Sequence, residues 1–121
     1  YELEMFSPPG KPCWFGLDKT LSQIVDDVQN GVDVGVISAK FHNTISEILL
    51  GFALVYRSKM DLNTVALSGG VFCNRYLTNR LIKQLKQHDF SVLFNREVPS
   101  NDGGISVGQA AIAVHIVTRD L

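Results

Sequence analysis

The alternation of apolar and polar residues predicts four helices along the chain. Apolar side chains recur at intervals of three and four residues, which is the spacing of one helix face. The predicted helices cover residues 18–30, 34–60, 71–87 and 104–118. We expect Asp18 to cap the first helix. The apolar stripe of the second helix, from Ile37 to Val55, must pack against another element.

Two short apolar runs between these helices predict β-strands. Residues 64–67 precede a glycine pair, and residues 91–94 follow the third predicted helix. A right-handed crossover would make the two strands parallel. Parallel sheets need cover on both faces, and two strands do not form a self-sufficient sheet. The pattern predicts an α/β fold with helices packed on a small parallel βαβ sheet, in a chain that lacks part of its domain.

The two ends of the chain have contrasting patterns. Residues 1–16 contain Pro8-Pro9-Gly10 and predict an irregular segment that Trp14 and Phe15 pin to a core. The last predicted helix, by contrast, is apolar on nearly every side. Such a helix is buried in a larger body or covers a partner, and a second copy of the chain is one such partner. We expect residues 1–121 to belong to one domain, with residues 17–121 as its main body.

The composition of the chain excludes several classes of protein. Apolar residues make up 45% of the chain and charged residues 19%, which is typical of a folded domain. The net charge of −1 offers no basic surface for a nucleic acid. The apolar stretch from Ile45 to Tyr56 is too short for a membrane span and contains Glu47. The start has no signal-peptide pattern, and Cys13 and Cys73 form no CxxC pattern, so we expect a cytoplasmic protein.

Two glycine-rich loops carry the candidate chemistry. Ser68-Gly69-Gly70 follows the first predicted strand, and Asn101-Asp102-Gly103-Gly104 precedes the last predicted helix. If the strands are parallel, both loops leave the carboxyl edge of the sheet, where open α/β sheets bind ligands. Glycines let backbone N–H groups approach an anion, and a helix start adds its positive dipole end. The pattern predicts a phosphate site; a tight turn that needs a positive φ is the alternative.

Other side chains admit two interpretations each. The Asn74 amide could contact a ribose or a base, or cap a helix. The Asp102 carboxylate could bind a divalent cation, or cap the last helix. The absence of a GxGxxG pattern and of a P-loop lysine argues against Rossmann and Walker-type sites. The three histidines share no metal-binding spacing, and we expect His42 and Cys73 to be packing residues.

Three sequence segments carry a resemblance to a known family. In chain order they are AKFHNTISEIL from Ala39, VALSGGVFCNRYL from Val65 and VPSNDGGISVGQAAIA from Val98. Together they resemble the carboxyl-terminal part of the transferase domain in the HypF family of hydrogenase-maturation carbamoyltransferases. The chain is also similar, more distantly, to threonylcarbamoyl transferases of tRNA and to antibiotic O-carbamoyltransferases. The resemblance implies half of an actin/sugar-kinase-like, or ribonuclease H-like, ATPase domain.

The resemblance also implies roles for the loop residues. Ser68, Gly69 and Gly70 would line a nucleotide, either ATP or carbamoyl adenylate, with Asn74 close to it. Asp102 would bind the divalent metal (Fe, Zn or Mg) that bridges the phosphates. The HxxxH metal pair of the family is not in this sequence, and Cys73 stands where the family usually has Gln. No catalytic residue is assigned.

The implied reaction is ATP-dependent carbamoyl transfer to a cysteine thiolate at the C-terminus of a hydrogenase-maturation partner protein, on the way to a metal-bound cyanide ligand. The first expected partner is the N-terminal half of the same domain. Without it we expect weak catalysis or none, because one carboxylate holds a metal poorly. The alternatives are a stand-alone nucleotide-binding or interaction module without catalysis, and an O- or threonylcarbamoyltransferase.

Overall fold

The computed structural model describes residues 1–119 and is built from helices and short strands. The strands are β1 Glu4–Phe6, β2 Trp14–Gly16, β3 Thr64–Leu67 and β4 Ser91–Phe94, and the helices are α1 Asp18–Gln29, α2 Val34–Met60, α3 Arg75–Gln87 and α4 Ile105–Arg119. Two 3-10 turns, Gly70–Cys73 and Asp102–Gly104, precede α3 and α4. The predicted α/β class is confirmed, as are the four helices and both predicted strands.

The centre of the fold is a βαβ unit covered by α2. Strands β3 and β4 pair in parallel, with Thr64 opposite Ser91 and Leu67 opposite Phe94, as predicted. The core beneath them contains Leu67, Leu81, Leu85 and Phe90, and the Leu85 side chain is completely enclosed. Helix α2 packs along α3, and between them the buried Ser46 hydroxyl donates to the Gln84 amide oxygen. This packing fixes where the strands end, and so where both glycine-rich loops begin.

The bounds of α2 follow from polar groups at its two ends. The Asp33 carboxylate accepts from the N–H groups of Gly35 at 2.8 Å and Val36 at 3.3 Å, which caps the start. Asp61 ends the helix in a left-handed conformation with φ 55°, and its N–H donates to Arg57 O at 2.8 Å. The predicted range 34–60 is confirmed.

The third helix begins later than predicted. The chain forms a 3-10 turn over Gly70–Cys73, and Asn74 then adopts an extended conformation, with φ −71° and ψ 104°, before α3 starts at Arg75. Apolar periodicity continues through this turn, so it could not show the break in the helix. Asn74 is therefore the residue before α3 and not part of its first turn.

The N-terminal segment was wrongly predicted to be irregular. Strands β1 and β2 form an antiparallel hairpin, because the Pro-Gly sequence makes the connecting loop, with φ +69° at Gly10. Phe6 stacks on Trp14 with ring centroids 3.9 Å apart, and Trp14 remains 53% exposed. Phe15 does reach α2, where its ring lies 5.6 Å from that of Phe52.

The first helix differs from its prediction in two respects. Asp18 does not cap α1, because the capping position is Leu17 and no side chain bonds there. The predicted apolar face is largely uncovered, since Leu21, Val25 and Val28 are all exposed. The buried residue of α1 is Thr20, whose hydroxyl donates to Glu2 O at 2.7 Å. The residues before β1 therefore anchor α1 through a polar contact.

Helix α4 is exposed along its whole length. Its apolar side chains point to solvent on every side; Ile112 is 63% exposed and Ile116 56%. The expectation that this helix needs a larger body or a partner stays a prediction. Neither α4 nor any other helix within residues 1–119 is long and apolar enough to cross a membrane.

Candidate functional site

The two glycine-rich loops meet at the carboxyl edge of the β3–β4 sheet, as the parallel pairing predicts. The N–H of Gly69 donates to Ser100 O at 2.9 Å, which joins one loop to the other. Nearby, the Cys73 sulfur lies 3.8 Å from the Ser100 hydroxyl. A backbone hydrogen bond and a side-chain contact thus hold the loops against each other.

An open cleft of about 330 Å³ lies between these loops, and we call it the two-loop cleft. Its walls contain Ser68, Gly69, Asn95, Val98, Pro99, Ser100, Asn101, Asp102, Gly104 and Ile105. Three of the predicted site residues, Ser68, Gly69 and Asp102, therefore share one cavity. Gly70 lies just behind it, where an added Cβ would be 3.8 Å from Asn101 Cβ.

The cleft needs two of its glycines for different reasons. Gly69 has φ +106° and ψ 161°, a conformation that L side chains rarely adopt, and no atom lies within 4 Å of where its Cβ would be. Gly104 is needed because of close approach, since a Cβ there would lie 2.6 Å from Pro99 O. The turn interpretation is therefore correct for Gly69, and the same conformation leaves space on the cleft side.

Asp102 lines the cleft with an unpaired carboxylate. The capping role belongs to its neighbour Asn101, whose side-chain oxygen accepts from Gly103 N at 3.0 Å. Asp102 is exposed, and its carboxylate makes no hydrogen bond or ion pair with another described residue. The capping interpretation of Asp102 is thus wrong, because Asn101 already occupies that position.

The described residues do not assemble a complete metal centre. Within residues 1–119, no three His, Cys, Asp or Glu side chains lie close enough together to hold one ion. The Asp102 carboxylate has the chemistry of a divalent-metal ligand, but it is a single donor. The donor set therefore fits one ligand position and not a whole site.

The Asn74 side chain is hydrogen-bonded within the chain. Its side-chain oxygen accepts from Leu77 N at 3.1 Å, which caps α3, and its amide nitrogen lies 2.7 Å from His42 Nε2. It is not among the residues that line the two-loop cleft. The capping interpretation is confirmed, and a contact between Asn74 and a nucleotide stays a prediction.

His42 is a half-buried packing residue, as predicted, but its partner was not foreseen. His42 lies in α2 and Asn74 lies just before α3, so no sequence periodicity connects the two residues. Cys73 is exposed rather than packed, which corrects its prediction. Its position follows from the 3-10 turn, which directs residue 73 toward the second loop.

A larger cavity, of about 500 Å³, lies between the chain start, α1 and α2 and is less suited to an anion. The Asp27 carboxylate there accepts from Lys40 Nζ and, at 2.8 Å, from the Tyr1 hydroxyl. The hydrogen bond from Lys40, helped by that from Tyr1, lowers the pKa of Asp27. Partial burial and the hydrogen bond to Asp27 raise the pKa of Tyr1 to about 12. Asp27, Lys40 and Tyr1 of this cavity are paired with one another, whereas the Asp102 carboxylate of the two-loop cleft has no partner among residues 1–119.

This combination, a parallel βαβ unit with a two-loop cleft at its carboxyl edge, defines an α/β fold with a candidate ligand cleft at the sheet edge. Residues 6–109 match the family described as carbamoyltransferase, Kae1-like domain, second subdomain. The chain belongs to this HypF carbamoyltransferase family, and the resemblance found in the sequence is confirmed.

Curated relatives are similar over most of the chain. HypF of Synechocystis sp. is 40% identical over 74 residues, which are 61% of this chain and 9% of that protein. A HypF homologue of Cupriavidus necator is 33% identical over 106 residues, 88% of this chain and 27% of the homologue. The chain therefore spans less than a third of the length of these relatives.

A solved structure supports the same assignment. Full-length HypF, crystallised in a phosphate- and nucleotide-bound form, superposes with a TM-score of 0.83 at 43% sequence identity. The superposition covers 97% of this chain and 15% of that protein. The match extends from the β1–β2 hairpin to α4, so the arrangement of the two loops belongs to the shared fold.

Proposed function

We propose that this chain is the distal half of the nucleotide- and metal-binding domain of a hydrogenase-maturation carbamoyltransferase. In this proposal the fold is half of an actin-like ATPase domain, and the two-loop cleft holds the phosphates of ATP or carbamoyl adenylate. The observation that carries it is the junction of the loops at the sheet edge, with Gly69 N 2.9 Å from Ser100 O and Asp102 unpaired beside them.

The cleft has features that suit a phosphate group. Helix α4 starts at Ile105, which lines the cleft and whose N–H donates to Asp102 O in the preceding 3-10 turn. The positive dipole end of α4 favours an anion at that position. Gly69 adds open space, because nothing lies within 4 Å of its missing Cβ. The phosphate- and nucleotide-bound form of the HypF relative agrees with such a ligand.

Asp102 would supply one ligand of the metal, and the remaining ligands would come from the other half of the domain. The metal, when bound, would neutralise phosphate charge. The work of this chain is to orient the phosphates against the Ser68-Gly69-Gly70 loop and the start of α4. One carboxylate alone would bind a divalent ion weakly, so the separate chain should bind nucleotide weakly.

The exposed surface of α4 supports a missing half as the first partner. A helix with Ile112, Ile116 and Val117 each more than half exposed has not buried its apolar surface. The HypF structure that superposes is much longer, since this chain covers 15% of it. Covering α4 with the rest of that polypeptide would bury this surface and close the cleft from the second side.

The proposed reaction transfers a carbamoyl group to a thiolate. The thiolate of the C-terminal cysteine of the maturation partner attacks the carbamoyl carbon of carbamoyl adenylate and forms a C–S bond. The bond between that carbon and the phosphate oxygen breaks, and AMP leaves with the electron pair. Holding the leaving phosphate in a fixed, charge-complementary cleft is the contribution of this half-domain.

Calorimetry tests this proposal with the chain and its missing half. ATP with Mg²⁺ is titrated into the chain alone, and then into the chain mixed with the preceding transferase segment of the Synechocystis relative. We expect weak binding to the chain alone and at least about tenfold tighter binding to the mixture. Gly69→Val should abolish both, since its φ of +106° excludes a β-branched residue.

Two results would contradict the proposal. Nucleotide binding that survives Gly69→Val would place the ligand outside the two-loop cleft. Equal affinity with and without the added segment would favour the stand-alone binding module. The matched control is Gly10→Val in the β1–β2 loop, a second glycine with a positive φ (+69°), which does not line the cleft and should retain binding.

A further inference from the structure

We infer that His42 is a positioning residue that holds the Ser68-Gly69-Gly70 loop in place through the side chain of Asn74. The inference rests on the proposed function, because it gives His42 a part in forming the nucleotide cleft without touching the nucleotide. Its basis is a chain of hydrogen bonds that runs from the backbone of α2 to the start of α3.

The donor and acceptor roles in this chain of bonds are fixed by its two ends. His42 Nδ1 lies 2.7 Å from Ser38 O, one turn earlier in α2, and a carbonyl can only accept. The proton of the neutral ring is therefore on Nδ1, and Nε2 is left as an acceptor. At the other end, Asn74 Oδ1 accepts from Leu77 N at 3.1 Å, so its NH₂ group faces His42. That group donates to Nε2 at 2.7 Å.

Asn74 connects this pair to the glycine loop. The turn before it is closed by two backbone hydrogen bonds of 3.1 Å, from Phe72 N to Gly69 O and from Asn74 N to Val71 O. The backbone from Gly69 to Asn74 therefore moves as one unit. A contact that fixes the amide of Asn74 relative to α2 also fixes where Gly69 meets Ser100.

Aromatic contacts hold the His42 ring in the required orientation. Tyr76 packs edge-on against it, with ring centroids 5.7 Å apart at 80°. The Tyr76 hydroxyl in turn donates to Asn43 Oδ1 at 2.8 Å. The buried contacts of α2 with α3 near the core are largely apolar, and such contacts do not specify direction as a hydrogen bond does. His42 and Asn74 therefore supply a directional contact at the cleft end of α3, beside that of Tyr76 with Asn43.

The test compares two substitutions of His42 in the full chain labelled with ¹⁵N. His42→Leu removes the acceptor and keeps an apolar side chain, whereas His42→Gln can present an amide oxygen to Asn74. We expect the ring nitrogens of the unmodified chain to report a proton on Nδ1 and an unprotonated Nε2 that accepts a hydrogen bond. His42→Leu should shift the backbone amide signals of Gly69 and Gly70, and His42→Gln should restore them.

Nucleotide affinity gives the second readout. ATP with Mg²⁺ should bind the His42→Leu chain about three- to tenfold more weakly, which corresponds to one net hydrogen bond. Binding to the His42→Gln chain should stay within about twofold of the unmodified chain on the same scale. Tyr76→Phe is the matched control, because it removes only the hydroxyl bond to Asn43 and should leave the glycine amide signals in place.

A second variant covers the case in which His42→Leu does not fold. Asn74→Ser retains a helix-capping oxygen but is too short to reach His42, and it should shift the same glycine signals. Unchanged Gly69 and Gly70 signals in a folded His42→Leu or Asn74→Ser chain would overturn the inference. If the signals shift but the unmodified chain binds no nucleotide, the proposed function fails and the positioning role stands.

Discussion

The two edges of the β3–β4 sheet differ in whether their polar groups are hydrogen-bonded within the chain. At the amino edge, Arg57 Nη1 donates to His88 O at 2.6 Å, and its guanidinium lies 4.2 Å from the centre of the Phe90 ring. Asn63 Nδ2 donates to Asp89 O at 2.8 Å across the same edge. At the carboxyl edge an open cleft separates the loops, and the Asp102 carboxylate has no partner among the described residues.

This difference distinguishes loops that stabilise the fold from loops that are available to bind a ligand. The amino edge contains two non-glycine residues with positive φ, Asp61 at 55° and Asp89 at 60°, and polar contacts hold the chain there. The carboxyl edge uses Gly69 at φ +106° and leaves the Asp102 carboxylate facing a cavity. Polar groups paired within the chain stabilise it, whereas unpaired groups around a cavity are available to a ligand.

The largest expected effect on stability is that of Gly104→Ala at the carboxyl edge. Its Cβ would lie 2.6 Å from Pro99 O, so the backbone must shift. We expect a loss of about 3 kcal/mol of unfolding free energy, the upper end for overpacking. Urea unfolding followed by circular dichroism measures it. Gly70→Ala is the control. Equal losses of unfolding free energy in the two variants would contradict the close approach of Gly104 to Pro99 O.

At the amino edge, Arg57→Leu should cost about 2 kcal/mol, because it removes a charge-assisted hydrogen bond and a cation–π contact. The matched control is Arg96→Leu at the carboxyl edge. Its guanidinium also lies over a strand phenylalanine, 5.3 Å from the centre of the Phe94 ring, but has no carbonyl partner within residues 1–119. Thermal unfolding of the two variants compares the edges directly. A larger loss for Arg96→Leu would reverse the assignment of the amino edge as the stabilising one.

Asn101→Ala should cost about 1 kcal/mol, since it removes the side-chain cap on Gly103 N. The second loop would lose its shape before the rest of the fold is affected. Hydrogen exchange at the Gly103 amide reports this change locally. The amide of Asn30, which donates to Asp26 O in α1, should exchange at its original rate. Unchanged exchange at Gly103 would remove Asn101 as the cap.

Asp102→Asn should change stability by less than about 0.5 kcal/mol, because the carboxylate has no partner to lose. Its effect should appear in Mg²⁺-dependent nucleotide binding to the chain combined with the missing half. Asp89→Asn at the amino edge removes a similar exposed charge and serves as the control. If both variants bind nucleotide equally well, Asp102 is not a metal ligand.

The sequence predicted those helices and strands that have a clear local pattern of apolar residues. The range 34–60 was correct at both ends, because a long apolar stripe defines the helix between Asn30-Gly31 and Asp61. Strands of three residues carry no periodicity, so the β1–β2 hairpin could not be recognised. Periodicity also shows which residues share a face but not whether that face is covered, which explains the exposed Leu21 and Val25 of α1.

The candidate site was predicted only in part, because some of its contacts depend on how the helices pack. The meeting of the two loops followed from parallel strands, whose carboxyl ends share one sheet edge. The contact of His42 with Asn74 joins residues far apart in sequence and depends on the crossing of α2 and α3. The choice between Asn101 and Asp102 as the cap also needed coordinates, because both residue types cap equally well.

The central claim is that the carboxyl edge of the sheet is a nucleotide site and the amino edge is not. Titrating the ¹⁵N-labelled chain with ATP and Mg²⁺, and following every backbone amide, tests it most directly. The account predicts progressive shifts of the Gly69, Gly70 and Asp102 amides, with Asp89 and Phe90 unmoved. Shifts confined to the amino edge, or glycine-loop amides that stay fixed while ATP binds elsewhere, would contradict it.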